Sequence, residues 1–333
     1  MTSTHNQPCY DPELAICLQQ LILIGETTPI TPETISTMRE RILMVRPTDD
    51  DLRRGGKIDI EERQVPGPNG SPEISLLICC PNASVTNVST SLLPCIYNIH
   101  GGGIIAGNNR FNMEILLDWI LEFHICVVSV EYRLAPEHPH PAPSEDCYSG
   151  LIWTAAHAQE IGIDLSQLSV MGISAGGGLA AAMALMSRDR NGPTLQGQIL
   201  ICPMLDDRDQ TFSTHQFEGT GFWDRQSNLT AWTALLGDQR GASDVSSYAA
   251  PSRAEDLSNL PPAFIDVSST ETFRDENIDY ARRIWQVGGV AELHVWPGGF
   301  HDFPAFMPEA TLSKLAIEAR TNWYRRLLAS HKK

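Results

Sequence analysis

Basic residues are the first scarcity. Against 40 Asp and Glu the chain sets only 24 Lys and Arg in 333 residues, a net charge of −16. Such a balance repels phosphate backbones and anionic lipid heads. No basic run reverses it locally, because Arg53-Arg54 and Lys332-Lys333 are isolated pairs, so nucleic acid is not an expected partner. Long apolar runs are also missing. The most apolar early stretch, 14–24, is interrupted by Gln19-Gln20 and is too short to cross a bilayer. It reads as an amphipathic helix, and no stable membrane insertion is expected. The polar opening Met1-Thr2-Ser3-Thr4-His5-Asn6-Gln7 lacks the basic-then-apolar order of a secretory leader, and the final residues match no retention signal, so the expected setting is cytoplasmic. Eight cysteines occur without C-x-x-C spacing, several inside apolar runs, which predicts reduced, buried thiols rather than a disulfide framework. Neither an internal repeat nor a low-complexity tract is present.

What is there reads as one large α/β core with a cap. Helix-length segments at 12–24 and 32–45 come first, the second opened by Thr31-Pro32, a capping residue followed by a first-turn proline. After the turn at Pro66-Gly67-Pro68-Asn69-Gly70, short β-rich runs at 74–80, 92–99, 125–132, 168–171, 198–202, 263–267 and 291–296 alternate with helical stretches at 113–123, 144–159, 175–187, 276–287 and 309–328. This alternation predicts a mostly parallel sheet flanked by helices, with early strands pairing antiparallel at one edge. The polar segment 206–251, with Phe222-Trp223, Trp232 and a helical piece at 228–236, breaks the pattern and suggests a lid. The expected division is an N-terminal helical cap segment at 1–70, core at 71–205, a cap insertion at 206–251 and core again at 252–333.

Within this frame Gly172-Ile173-Ser174-Ala175-Gly176 fits G-x-S-x-G between an apolar strand and an Ala-rich helix, the setting of a nucleophile elbow. Upstream, His100-Gly101-Gly102-Gly103 follows another apolar strand. Glycines there let backbone N–H groups approach an oxyanion, so Gly101, Gly102 and Ala175 are the expected donors, with His100 structural. A base must follow the serine. Of His215, His294, His301 and His331, only His301 lies in a loop just past a strand end, where catalytic side chains collect. Glu271, in the loop after strand 263–267, is the expected acid. Asp266 falls inside the strand, and Asp275 and Glu276 read as first-turn acids of the next helix. His138 and His140 have a spacing that can bind zinc, but the flanking prolines suit a rigid turn, and no metal is expected. Phe222, Trp223 and Trp232 either line a substrate pocket or staple the cap to the core.

Together with Glu131-Tyr132-Arg133-Leu134-Ala135-Pro136-Glu137-His138-Pro139, these blocks run in one order from about 95 to 303. In that order the chain resembles the hormone-sensitive-lipase-like family of α/β-hydrolases, carboxylesterases among them. The resemblance implies the α/β-hydrolase fold with a helical cap, a small-molecule ester substrate, no cofactor and pairing into a homodimer. It places the family's triad acid on Glu271 and its histidine on His301. Three departures stand out: Ile173 where the family has Asp, Glu271-Thr272 for Asp-Pro, and Asp302 for a Gly. Glutamate can serve as the acid. Asp302 is expected to point to solvent, the alternative being that it raises the basicity of His301. The expected reaction is serine-dependent ester hydrolysis through an acyl-enzyme. Lactone, amide or acyl-transfer chemistry stays open on the same core, as does a receptor role of the kind seen on esterase scaffolds that lack the triad histidine.

Overall fold

A computed structural model describes residues 6–68, 70–86 and 92–330. His331 and Lys332-Lys333, like Met1 to His5 and Asn69 of the Pro-Gly turn, lie outside the described residues. Eight strands among the described residues form one sheet: β1 (Ile58–Val65), β2 (Ile74–Pro81), β3 (Leu93–Ile99), β4 (Cys126–Glu131), β5 (Ile163–Ile173), β6 (Gly197–Ile201), β7 (Ala263–Ser268) and β8 (Ala291–Trp296). Their order is β1-β2-β4-β3-β5-β6-β7-β8. β2 is antiparallel to β1 and β4, and every other pairing is parallel. The central strands are near-continuous apolar runs, such as Val127, Val128 and Val130 of β4 or Ile199 to Ile201 of β6, all without exposure. That pattern belongs to strands covered on both faces.

β1 is the strand the sequence reading missed, and it lies inside the stretch assigned to the cap. Glu61, Glu62 and Arg63 occupy its centre, so it reads as polar chain; charges of this kind are what an edge strand carries against further pairing. A second correction concerns the thiols. Cys80 and Cys126, on the neighbouring strands β2 and β4, are joined as a disulfide, while Cys9, Cys17, Cys79, Cys95, Cys147 and Cys202 are free. Only the strand register brings that pair face to face, and spacing in the chain carries no trace of it.

The main helices are α1 (Pro12–Leu23), α2 (Ile35–Met44), α3 (Glu114–Phe123), α4 (Ala142–Ala156), α5 (Ala175–Asp189), α6 (Arg225–Leu236), α7 (Arg274–Gln286) and α8 (Thr311–Ser330). α5 is buried from Ala175 to Ser187, which its Gly and Ala residues permit. A Cβ on Gly176 would run into the carbonyls of Ile99 and His100 at the end of β3. The Pro32 expected to open the second helix begins a 3-10 turn, Pro32–Thr34, leading into α2.

The N-terminal helices and the 206–251 segment are tied to the rest of the chain and to each other. Asp11 caps α1 through its carboxylate to the N–H groups of Glu13 and Leu14, and Leu14 and Leu18 pack on Phe300 and Phe303. From α2, Arg39 donates to the carbonyls of Ile105 (2.6 Å) and Ala135 (2.9 Å) and to Glu137. Ile30 joins α6, its N–H donating to Ser227 Oγ (2.9 Å) and its carbonyl accepting from Thr230 (2.8 Å). In the 206–251 segment, buried Asp209 pairs with Arg225, and buried Asp207 reaches Arg253 just beyond its end.

The root of that segment hangs on Glu276 of α7. This fully enclosed side chain accepts the N–H groups of Leu205 (2.7 Å) and Asp206 (3.3 Å). Burial, reinforced by the charge of Asp206, lifts its carboxyl well above the ordinary 4.5. The folded protein therefore keeps a proton that the unfolded chain loses as pH rises above 4.5, so this group's contribution to stability is present at low pH and fades upward. Glu276→Gln, which keeps the acceptor without a charge, is expected to remove that slope from urea-unfolding free energies measured across pH. Glu276→Ala should lower stability by about 2 kcal/mol by leaving two amides without an acceptor.

Candidate active site

Four parallel strands, β3, β5, β7 and β8, deliver the chemistry-bearing residues at their C-terminal ends, where open α/β sheets bind ligands. Ser174 follows β5 directly, with φ 57° and ψ −121°, a backbone conformation that side-chain-bearing residues rarely adopt. Three hydrogen bonds hold it there: its N–H to the Ile201 carbonyl (2.8 Å), and its carbonyl from Met204 N–H and Gly178 N–H (both 3.0 Å). The turn is tight enough that a Cβ on Gly172 would strike the Gly176 carbonyl. Together these constraints raise Ser174 Oγ above the sheet edge.

His301 lies in the loop beyond β8. That loop is set from the cap side: Asp11 N–H donates to the Gly298 carbonyl (2.9 Å), and the neighbouring Phe300 and Phe303 are buried against α1. From the β7 side, Thr270 donates to the Gly299 carbonyl. The imidazole stands with Nε2 at 2.9 Å from Ser174 Oγ and Nδ1 at 2.9 Å from Glu271 Oε1. Glu271 Oε2 accepts the Ser268 N–H at 2.9 Å. All three residues are buried. Phe273 meets the imidazole edge to face, centroids 5.2 Å apart, closing that flank to water.

The other acids near Glu271 have different employment. Asp275 accepts from Ser213 N–H (2.8 Å) and from Arg274 (2.7 Å), and Glu276 holds the cap root. Asp266 pairs with buried Arg320 at 2.8 Å and accepts from the Trp296 indole at 3.1 Å. His215, His294 and His301 are thus separated by the fold, with only His301 brought to the serine. His294 Nε2 faces Glu292 at 3.0 Å within β8.

After β3, the His100 ring is fully buried, stacked on Tyr132 at 4.1 Å. Burial lowers its pKa to about 4, so the ring is neutral and its Nδ1–H donates to the Gly101 carbonyl at 2.8 Å. Tyr132 in turn donates to the His100 carbonyl (2.9 Å). The Gly102 carbonyl accepts from Ile105 and Ala106, and the loop curls so that Gly101, Gly102 and Gly103 line the same cavity as Ser174. Among the described residues no acceptor takes the N–H groups of Gly101, Gly102 or Ala175. His100 builds this loop and does not face the reacting centre.

The cavity measures about 540 Å³ and is largely apolar, a size suited to a small ligand. Phe222 and Trp223 are among its lining residues. The Trp223 carbonyl accepts from Thr272 (2.7 Å), one residue beyond Glu271, so cap and acid loop are joined at this point. Trp232 is a correction: it faces inward from α6, has no exposure and belongs to the core cluster rather than to the lining. Sequence reasoning passed over Met38 and Ile42 of α2, and Phe111, Asn112 and Phe306, all of which line the cavity. Nothing in their local pattern separates them from ordinary apolar or loop positions.

Asp302 is the second correction at this site. Half-buried rather than on the open surface, it lines the cavity beside His301, accepting one long hydrogen bond from Asn112 Nδ2 at 3.4 Å. Burial pushes its carboxyl up to about 6, against the opposing pull of His301 and Arg320. Its φ of 53° explains why glycine would be at ease in this position. Among the described residues, one group of three side chains has the donor atoms to hold a metal, Cys202, Glu271 and His301. Two of these are already bonded to each other, and His138 and His140 join no such group.

Residues 96–305 match a family model described as alpha/beta hydrolase fold. The carboxylesterase NlhH of Mycobacterium tuberculosis is 32% identical over 305 residues, covering 90% of each chain. Esterase LipI of the same organism is 32% identical over 221 residues, 66% of this chain and 69% of that one. Among solved structures, a bacterial heroin esterase superposes with a TM-score of 0.86 at 35% identity, covering 96% of this chain and 98% of the other. Esterase LipW from Mycobacterium marinum gives 0.84 at 29% identity, covering 97% and 98%.

Proposed function

The chain belongs to the hormone-sensitive-lipase-like family of the α/β-hydrolase fold, and from that premise we propose that it hydrolyses carboxylic esters of small to medium size with Ser174 as nucleophile, His301 as base and Glu271 as acid. One observation carries the reading: hydroxyl, imidazole and carboxylate stand in line at 2.9 Å and 2.9 Å, beside three backbone N–H groups that have no protein acceptor among the described residues. A binding protein has no use for a buried hydroxyl already bonded to a base, whereas acyl transfer requires it.

In this scheme Ser174 Oγ attacks the ester carbonyl carbon while His301 Nε2 takes the hydroxyl proton. Glu271 keeps Nδ1 protonated and stabilises the imidazolium that forms. The carbonyl oxygen, now an oxyanion, falls to the N–H groups of Gly101, Gly102 and Ala175, donors placed before the reaction and sheltered from bulk water. As the tetrahedral species collapses, His301 returns the proton to the departing alcohol. Water then attacks the acyl-enzyme, with His301 again as base, and the acid leaves. The apolar cavity of about 540 Å³ supports acyl and alcohol groups of modest length.

Ser174→Ala and His301→Ala should each lower kcat on p-nitrophenyl butyrate by about a million-fold while far-UV circular dichroism stays unchanged. Retention of more than a hundredth of wild-type activity by either variant would contradict the assignment. Glu271→Ala is expected to cost about ten-thousand-fold in kcat, and Asp275→Ala no more than a few-fold; the reverse order would move the acid to Asp275. Across p-nitrophenyl esters of graded chain length, kcat/KM should peak at about four to eight carbons, and turnover confined to lactones would overturn the carboxylesterase reading.

A further inference from the structure

Charges on the cavity wall do not balance. Besides His301, the charged lining residues are Glu26, Arg41 and Asp302. Glu26 and Arg41 sit 3.6 Å apart and answer each other. Asp302 has no ion-pair partner among the described residues, and its single hydrogen bond, from Asn112, is long at 3.4 Å. The buried Arg320 is already engaged by Asp266 at 2.8 Å. Meanwhile a backbone φ of 53° holds Asp302 in a conformation where a side chain is a disadvantage, one residue from the base. Arg320 and His301 act on Asp302 only from beyond ion-pair distance, and a strained residue on an apolar cavity wall with no cation in contact is an arrangement that a ligand can complete.

We propose that Asp302 makes the part of the cavity beside His301 a subsite for a cation, so that the preferred esters carry an ammonium group a few bonds from the scissile carbonyl. Amino-alcohol esters and amino-acid esters have this form. Phe111, Phe222, Trp223 and Phe306, in the same lining, add aromatic faces that attract an alkylated ammonium. Carboxylate-bearing esters meet the opposite preference, since their charge would face Asp302 in a poorly solvated space.

The proposal rests on the ester-hydrolase reading, and one comparison separates the two. The kcat/KM for butyrylcholine is measured against that for 3,3-dimethylbutyl butyrate, its uncharged carbon isostere, with p-nitrophenyl butyrate as the general ester. Wild type should prefer the charged ester by about tenfold, and D302N should bring the ratio to about one. D302G, whose backbone accepts the positive φ without strain, should do the same, so a folding defect in D302N would not obscure the result. A wild-type ratio near one, or a preference that survives in both variants, overturns the subsite. A parallel fall on both esters with the ratio kept would make Asp302 a positioning residue for His301, and would overturn it as well. Absence of any turnover of p-nitrophenyl butyrate by wild type would instead defeat the ester-hydrolase reading.

Discussion

The close seating of α5 against the ends of β3 and β5 is the constraint from which the rest of the site follows. Gly176 permits backbone contact with Ile99 and His100, and Gly172 permits the sharp turn before it. Ser174 is thereby forced to a positive φ, a conformation a free chain would abandon but a packed one keeps because neighbouring backbone hydrogen bonds over-determine it. The same contact sets where the first turn of α5 begins, and hence where the Ala175 N–H points, next to the glycine loop that follows β3. The proposed nucleophile and the proposed oxyanion donors are consequences of one packing event.

His301, the proposed base, is positioned from the opposite direction. α1 buries Leu14 and Leu18 against Phe300 and Phe303, and Asp11 bonds to Gly298, so the loop bearing His301 is clamped between the sheet and the N-terminal helix. α2 does the same for the glycine loop after β3 through Arg39 and the Ile105 carbonyl. Residues far apart in the chain thus hold the two loops that meet at Ser174, and Thr272, next to Glu271, is linked to Trp223 in the 206–251 segment.

Carboxylates are plentiful here, and the fold differentiates them by what surrounds each. Asp266 is paired with Arg320, burial raises the Glu276 carboxyl well above its ordinary range, Asp275 serves a loop N–H, and Glu271 alone hydrogen-bonds the imidazole. Asp302 is the exception, with no ion-pair partner among the described residues and one long hydrogen bond from Asn112, and it lines the cavity itself. Chemistry that one carboxylate type could perform anywhere is thus confined to one position by its partners.

Much of this was legible in the chain. Alternating apolar runs and helix-length segments announced the parallel sheet, because central strands buried on both faces must be apolar throughout; the edge strand β8, Ala291–Trp296, coincides with 291–296 although it carries Glu292 and His294. Gly172 to Gly176 and His100 to Gly103 were readable because tight turns and close backbone approaches demand glycine in sequence. β1 was hidden by its edge charges, and the Cys80–Cys126 bond by a register that spacing does not encode. Side-chain direction was beyond reach too: a helical period cannot tell whether Trp232 faces core or cavity, nor a loop residue such as Asp302 solvent or substrate. By itself the sequence determined which elements form and which residues can do acyl chemistry, since both depend on local backbone freedom and residue type. The tertiary structure alone decided which carboxylate meets the histidine, which aromatic residues line the cavity and which cysteines pair, because those outcomes depend on distances between segments that only packing sets.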